Sequence, residues 1–174
     1  MDDLSHYSVI ERARGGDTLE IRALRPDDRA GLLAAIDHTS AQSLHLRFFG
    51  ARRRFTDEEI AFFLEVDFTR HVALVATAEH EGESVIVGGA RYILTQPGRG
   101  EVAVTVIDAC QGQGIGSILM HHLVTIARRS GLTELAAEVL SDNARMLKLF
   151  ERCRLPLSMK REAGVIHVVL RLNS

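Results

Sequence analysis

The sequence predicts an α/β protein: a mixed, mostly antiparallel sheet of about six to seven strands with helices on its faces. Three observations predict it. Strand-like runs follow one another in the middle of the chain, joined by short Gly- and Pro-containing turns. The pattern then switches to helical periodicity from Gly114 to Arg129. After that, a strand, a helix and a closing hairpin complete the chain.

Taken in order, residues 1–18 read as a polar lead-in that ends in the turn Gly15-Gly16-Asp17. Leu19 to Leu24 alternates as a first strand. Pro26-Asp27-Asp28 starts a helix with Leu32, Leu33 and Ile36 on one stripe. A second helix is expected over Ala41 to Phe49, stopped by Gly50. Thr56 and Glu59 form a capping box for a short helix carrying Ile60, Phe63 and Leu64. His71 to Ala78, Ser84 to Leu94 and Gly100 to Ile107 are three successive strands, as in an antiparallel meander. Ile118, Leu119, Leu123 and Ile126 face one side of the next helix, which Ser130-Gly131 ends. Thr133 to Leu140 is a strand, and Asp142 to Arg152 a helix with Met146, Leu149 and Phe150 together. Leu157 to Lys160 and Val165 to Leu172 close the chain as a hairpin.

Composition bounds the function. The chain has 174 residues, which suits a single domain over 19–174. A net charge of -2 gives no bias toward nucleic acid or an anionic membrane. Trp is absent, so a base-stacking surface is not expected. Cys110 and Cys153 make neither a disulfide framework nor a zinc site, and read as reduced thiols of a cytoplasmic protein. No metal is expected: His121 and His122 are adjacent on a helix and point to different faces. Met1-Asp2-Asp3-Leu4 lacks the apolar region of a signal peptide. No apolar run approaches the ~20 residues of a membrane span.

The segment that carries chemistry runs from Val102 to Ser117. A strand ends near Ile107, the chain turns through Gly112, Gly114 and Gly116, and a helix begins at once. Glycines let an anion approach the backbone amides closely. The helix dipole adds positive potential there. A pyrophosphate would sit over Gln113 to Ser117. The spacing is not that of a dinucleotide fingerprint. No Lys follows Gly116, so it is not a P-loop either. On the residues alone, a purely structural turn stays open.

Gln111-Gly112-Gln113-Gly114-Ile115-Gly116 resembles the acyl-CoA pyrophosphate signature of the GNAT superfamily of N-acetyltransferases, Gln/Arg-x-x-Gly-x-Gly/Ala. The order of elements over residues 19–172 resembles that family as well. The resemblance implies acetyl-CoA as cosubstrate, held by Gln111 through Ser117. It implies that Asn143 contacts the pantetheine arm. It also implies that Val104, Val106 and Ile107 serve through backbone groups, pairing with the pantetheine and polarising the thioester carbonyl.

Leu46-Arg47-Phe48-Phe49, Arg52-Arg53-Arg54-Phe55 and Val72 to Ala76 are similar to the catalytic domain of Pat-type bacterial protein lysine acetyltransferases. Those enzymes acetylate a lysine of acyl-CoA synthetases, so such a synthetase is the implied protein partner. They often carry an additional regulatory or synthetase-like domain, for which this chain is too short, and nucleotide regulation is not expected. Glu101 matches their catalytic glutamate, the base that takes the proton from a lysine amine of pKa near ~10.4. Glu138 is the second candidate base. Many relatives place a general-acid tyrosine seven residues after the Asn; here that position is Phe150. Ser141 is an alternative acid, or a helix cap. Arg52 to Arg54 are either a solvated loop or a contact to an acidic substrate or the 3′-phosphate. A small-amine acetyltransferase and a non-catalytic acyl-CoA sensor are the competing readings. Monomer and homodimer stay equally open.

Overall fold

Short turns between successive apolar strands force antiparallel pairing, and only a helical crossover permits a parallel pair. The computed structural model describes residues 3–39 and 55–173. The expected helix at 41–49 and the basic run 52–54 therefore lie outside the described residues. So does the 46–49 part of the resemblance. The strands are β1 (Ser8–Arg12), β2 (Thr18–Ala23), β3 (His71–His80), β4 (Glu83–Gln96), β5 (Arg99–Val106), β6 (Glu134–Leu140), β7 (Leu157–Glu162) and β8 (Val165–Arg171). Among the described residues the α-helices are α1 (Arg29–Asp37), α2 (Asp57–Leu64), α3 (Ile115–Arg129) and α4 (Ala144–Arg152).

Among the described residues, eight strands form one sheet in the order β1-β2-β3-β4-β5-β6-β8-β7. Every pairing is antiparallel except β5 with β6, which α3 connects. The mixed, mostly antiparallel sheet predicted from the sequence is thus present, with one strand more than expected. The extra strand is β1, inside the segment read as a polar lead-in. Its Ile10 is 65% exposed, so it shows no buried alternation for a sequence reading to detect. Backbone pairing of Ser8–Arg12 with Arg22–Thr18 makes it a strand.

Helix α3 packs its apolar stripe on one face of the sheet; Leu119, Leu123 and Ile126 are fully buried there. Phe150 of α4 joins the same core. Helices α1 and α2 cover the other face near β3, where Leu24, Ala73, Val75 and Ile86 meet Ala35 and Leu64. Thr56 caps α2 as its sequence predicts, its hydroxyl accepting the Glu59 amide at 3.1 Å.

The step from β2 into α1 is pinned by a buried ion pair. Both terminal guanidinium nitrogens of Arg22 donate to Asp28 at 2.8 Å, and the Arg25 amide donates to the same carboxylate at 2.7 Å. Burial pushes the Asp28 carboxyl up, but the hydrogen bonds and charges of Arg22 and Arg25 outweigh it and hold its pKa below the ordinary value. A depressed carboxylate stabilises the fold above its unfolded pKa, and that contribution is lost as pH falls through the folded pKa. Asp28→Asn is expected to destabilise the protein by about 3 kcal/mol at pH 7, because it leaves a buried guanidinium without its counter-charge. The gap to wild type should narrow in acid. Thermal melts at neutral and acidic pH check both statements.

Candidate active site

The site starts from a failure of pairing. Strands β5 and β6 pair only over Arg99–Glu101 with Glu134–Ala136. Beyond that, β6 stays with β8 along its whole length, and β5 stays with β4. The two strands part, and a cleft of ≈ 1030 Å³ opens between them, bounded by the start of α3 and by α4.

The parting exposes one edge of β5. The Ile107 amide donates to Val87 on β4 at 2.9 Å. Backbone groups alternate sides along a strand. Val104 and Val106 therefore present theirs to the cleft, and the Val106 carbonyl accepts the Gln111 side-chain amide there at 3.1 Å. Ile107 is a correction to the sequence reading. Its amide serves Val87 and its carbonyl accepts from Cys110, so its backbone braces the turn instead of facing the cleft.

The glycine turn follows. Gly112 and Gly114 have φ of 81° and 83°, a region that side chains disfavour. A Cβ at either position would meet nothing within 4 Å, so the space above both is open. Gly114 is the N-cap of α3 and offers no side-chain cap. The first amides of the helix, at Ile115, Gly116 and Ser117, are left for a ligand. An anion with several oxygens fits this cradle, as the pyrophosphate of an acyl-CoA would. Gln111 acts as a strut: its amide holds Val106, and its carbonyl oxygen accepts from Arg145 of α4. The backbone carbonyl of Gln113 accepts the Arg14 amide at 3.0 Å, and Gln113 is not among the residues lining the cleft.

Asn143 reaches the cleft wall, and its carbonyl oxygen caps α4 by accepting the Met146 amide at 3.3 Å. Phe150 is 1% exposed and lies at the cleft floor, so the position brings no hydroxyl. Ser141 is off the cleft; its amide donates to Gly164. Cys110 lies at the rim, where burial and Asp17 push its thiol pKa up, against a nucleophilic thiolate. His122 is buried and His121 exposed, as their adjacency on a helix requires.

Sequence reasoning missed the cations. Arg145, Lys148 and Arg152 of α4 line the cleft, as does Arg14 from the β1–β2 loop. A signal was there: 145, 148 and 152 fall on one helical face.

Glu101 stands where the strands begin to part. A Cβ on its neighbour Gly100 would touch Leu132, Leu135 and Tyr92, so Gly100 faces the α3 core and Glu101 faces the other side. There it borders a second, smaller cavity of ≈ 310 Å³, with Thr95, Arg99, Glu138 and His167. Glu101 and Glu138 line both cavities. The His167 ring lies 3.4 Å from Glu138 and 3.7 Å from Glu162. No group of metal-ligating side chains assembles among the described residues. No helix among them is long and apolar enough to cross a membrane.

The comparisons agree with this geometry. Residues 38–154 match the model of the acetyltransferase (GNAT) family. An acetyltransferase of Pseudomonas aeruginosa is 32% identical over 72% of this chain and 68% of its own length. Acetyltransferase Pat of Mycolicibacterium smegmatis is 32% identical over 81% of this chain, which spans only 42% of that relative. The crystal structure of the GNAT domain of S. lividans PAT superposes with a TM-score of 0.87 at 30% identity, over 98% of this chain and 99% of that one. The Pat-type resemblance read from the sequence is thereby shown. With the splayed strands and the open amide cradle in place, the chain belongs to the GNAT family and is an acyl-CoA-dependent N-acetyltransferase.

Proposed function

We propose that this enzyme acetylates a protein lysine from acetyl-CoA by direct attack, with Glu101 as general base. The observation that carries the proposal is the position of Glu101, at the junction of the two cavities. The larger cavity offers amides and cations to an acyl-CoA. The smaller one opens on the opposite face of the sheet and gives an amine its own approach. The two substrates would meet only where both cavities meet.

The bound cosubstrate supplies an activated acetyl group on a thioester. Everything else falls to the chain. The cradle at 112–117 would hold the pyrophosphate, and Asn143 the pantetheine arm. The cleft-facing backbone of Val104 and Val106 would align that arm as an added strand, with one amide polarising the carbonyl. Glu101 would take the proton that a lysine carries at neutral pH. Glu138, beside it, places a second negative charge where an ammonium group would enter. The likeness to Pat-type enzymes supports a protein lysine as acceptor and an acyl-CoA synthetase as the partner bearing it.

The test is an acceptor panel. The protein is incubated with acetyl-CoA and, separately, acyl-CoA synthetases, free amino acids and small polyamines, while thiol release is followed. The expected result is release with a synthetase, and one acetylated lysine located by mass spectrometry. Release with small amines alone would replace the protein acceptor by a small one. Tight acetyl-CoA binding with no turnover on any acceptor would make the chain a sensor.

A further inference from the structure

Within the β1–β2 hairpin, β2 is a core strand, with Leu19, Ile21 and Ala23 buried, but β1 has little to hold it by burial. Strand β1 alternates only between exposed and half-buried, and its Ile10 is exposed. This strand is instead tied to α3 by a polar relay centred on a buried histidine. His122 of α3 is 6% exposed, and its two ring nitrogens reach two residues of the hairpin side. Nδ1 lies 2.5 Å from the Tyr7 hydroxyl, and Nε2 lies 2.7 Å from the Glu11 carboxylate. In the neutral ring, Nε2–H donates to Glu11 and Nδ1 accepts from Tyr7, so all three groups are satisfied. The Tyr7 ring also meets the His122 ring edge-on.

The loop that follows is built on this anchor. Ala13 is 4% exposed, and its amide donates to Asp17 at 2.8 Å. The next amide, that of Arg14, donates to the Gln113 carbonyl of the glycine turn at 3.0 Å. This bond fixes the base of the Arg14 side chain beside the cradle, and the residue lines the cleft. The other cleft cations all come from α4, where Arg145 is engaged by Gln111. A CoA molecule brings a pyrophosphate and a 3′-phosphate. The amides and dipole of one helix end offer only about half a positive charge.

We infer that the β1–β2 loop is a wall of the cofactor site: Arg14 pairs with the anionic, phosphate-bearing half of CoA, and the Tyr7–His122–Glu11 relay acts as a clamp that positions it. Arg14 is then a binding residue. Tyr7, His122 and Glu11 are positioning residues that act through it. The inference is independent of which group serves as base.

Titration calorimetry with acetyl-CoA tests it, without relying on turnover. Arg14→Ala should weaken binding about tenfold, and Arg14→Lys should restore most of the loss. Tyr7→Phe should weaken acetyl-CoA binding about threefold, and add nothing in the Arg14→Ala background. If Tyr7→Phe disturbs folding in a thermal melt, Glu11→Gln probes the same clamp from its other end. An Arg14→Ala affinity within about twofold of wild type overturns the assignment of Arg14. Additive losses in the double variant overturn the clamp.

Discussion

Glu101→Gln is expected to lower kcat by about 10²- to 10⁴-fold, the range of a positioned base, with acetyl-CoA affinity unchanged. The substitution keeps size and hydrogen bonding and removes only the ability to take a proton. It should be structurally mild, because Glu101 is exposed. The pH dependence adds a second readout. Without a base, the variant acts only on amine that is already neutral. Its rate should therefore climb tenfold per pH unit toward the lysine pKa near ~10.4. The difference from wild type should shrink as the medium takes over the proton. Wild-type kcat in Glu101→Gln would remove Glu101 from the mechanism. Glu138→Gln is then the variant that should carry the loss, since Glu138 lines the same junction.

Gly114→Asp is expected to abolish measurable acetyl-CoA binding, a loss of at least about 100-fold. Two effects add. Any L-residue at φ 83° is strained, by about 1–2 kcal/mol. Asp also sets a carboxylate at the mouth of the cradle, facing the pyrophosphate. Gly114→Ala separates them, because it carries the strain and no charge. A Cβ there meets nothing within 4 Å, so both variants should remain folded. The expected order of affinity by calorimetry is wild type, then Ala, then Asp. Equal losses in Ala and Asp would mean that no anion sits at this turn.

The elements that the sequence predicted correctly share a local cause. The capping box at Thr56 is realised because its hydroxyl and the Glu59 amide are three residues apart, in any context. The hairpin turn at Ala163-Gly164 forms with both residues at positive φ, as short turns between twisted strands need. The glycine turn was legible for the same reason: an open, left-handed backbone before a helix asks for glycine wherever it occurs. Strand β1 was missed because it buries no face of its own. The family resemblance implies a cofactor role for the Ile107 backbone, but which strand edge each residue of β5 presents depends on its pairing. One hydrogen bond to Val87 decides it for Ile107.

The sequence by itself therefore determined most of the described elements, the glycine turn and, through a family resemblance, the choice of Glu101 as candidate base. All of these are written in residues that are neighbours along the chain. Only the tertiary structure decided that β5 and β6 part after Glu101 and Ala136, since that depends on β6 preferring β8 over its full length. Only it placed Glu101 and Glu138 on the border of two cavities, and brought Arg14 to a turn almost a hundred residues away in sequence. Such contacts join residues with no shared local period, so no pattern in the sequence announces them. The glycine turn is a local property of the chain; the border that Glu101 and Glu138 form between two cavities is a property of the sheet.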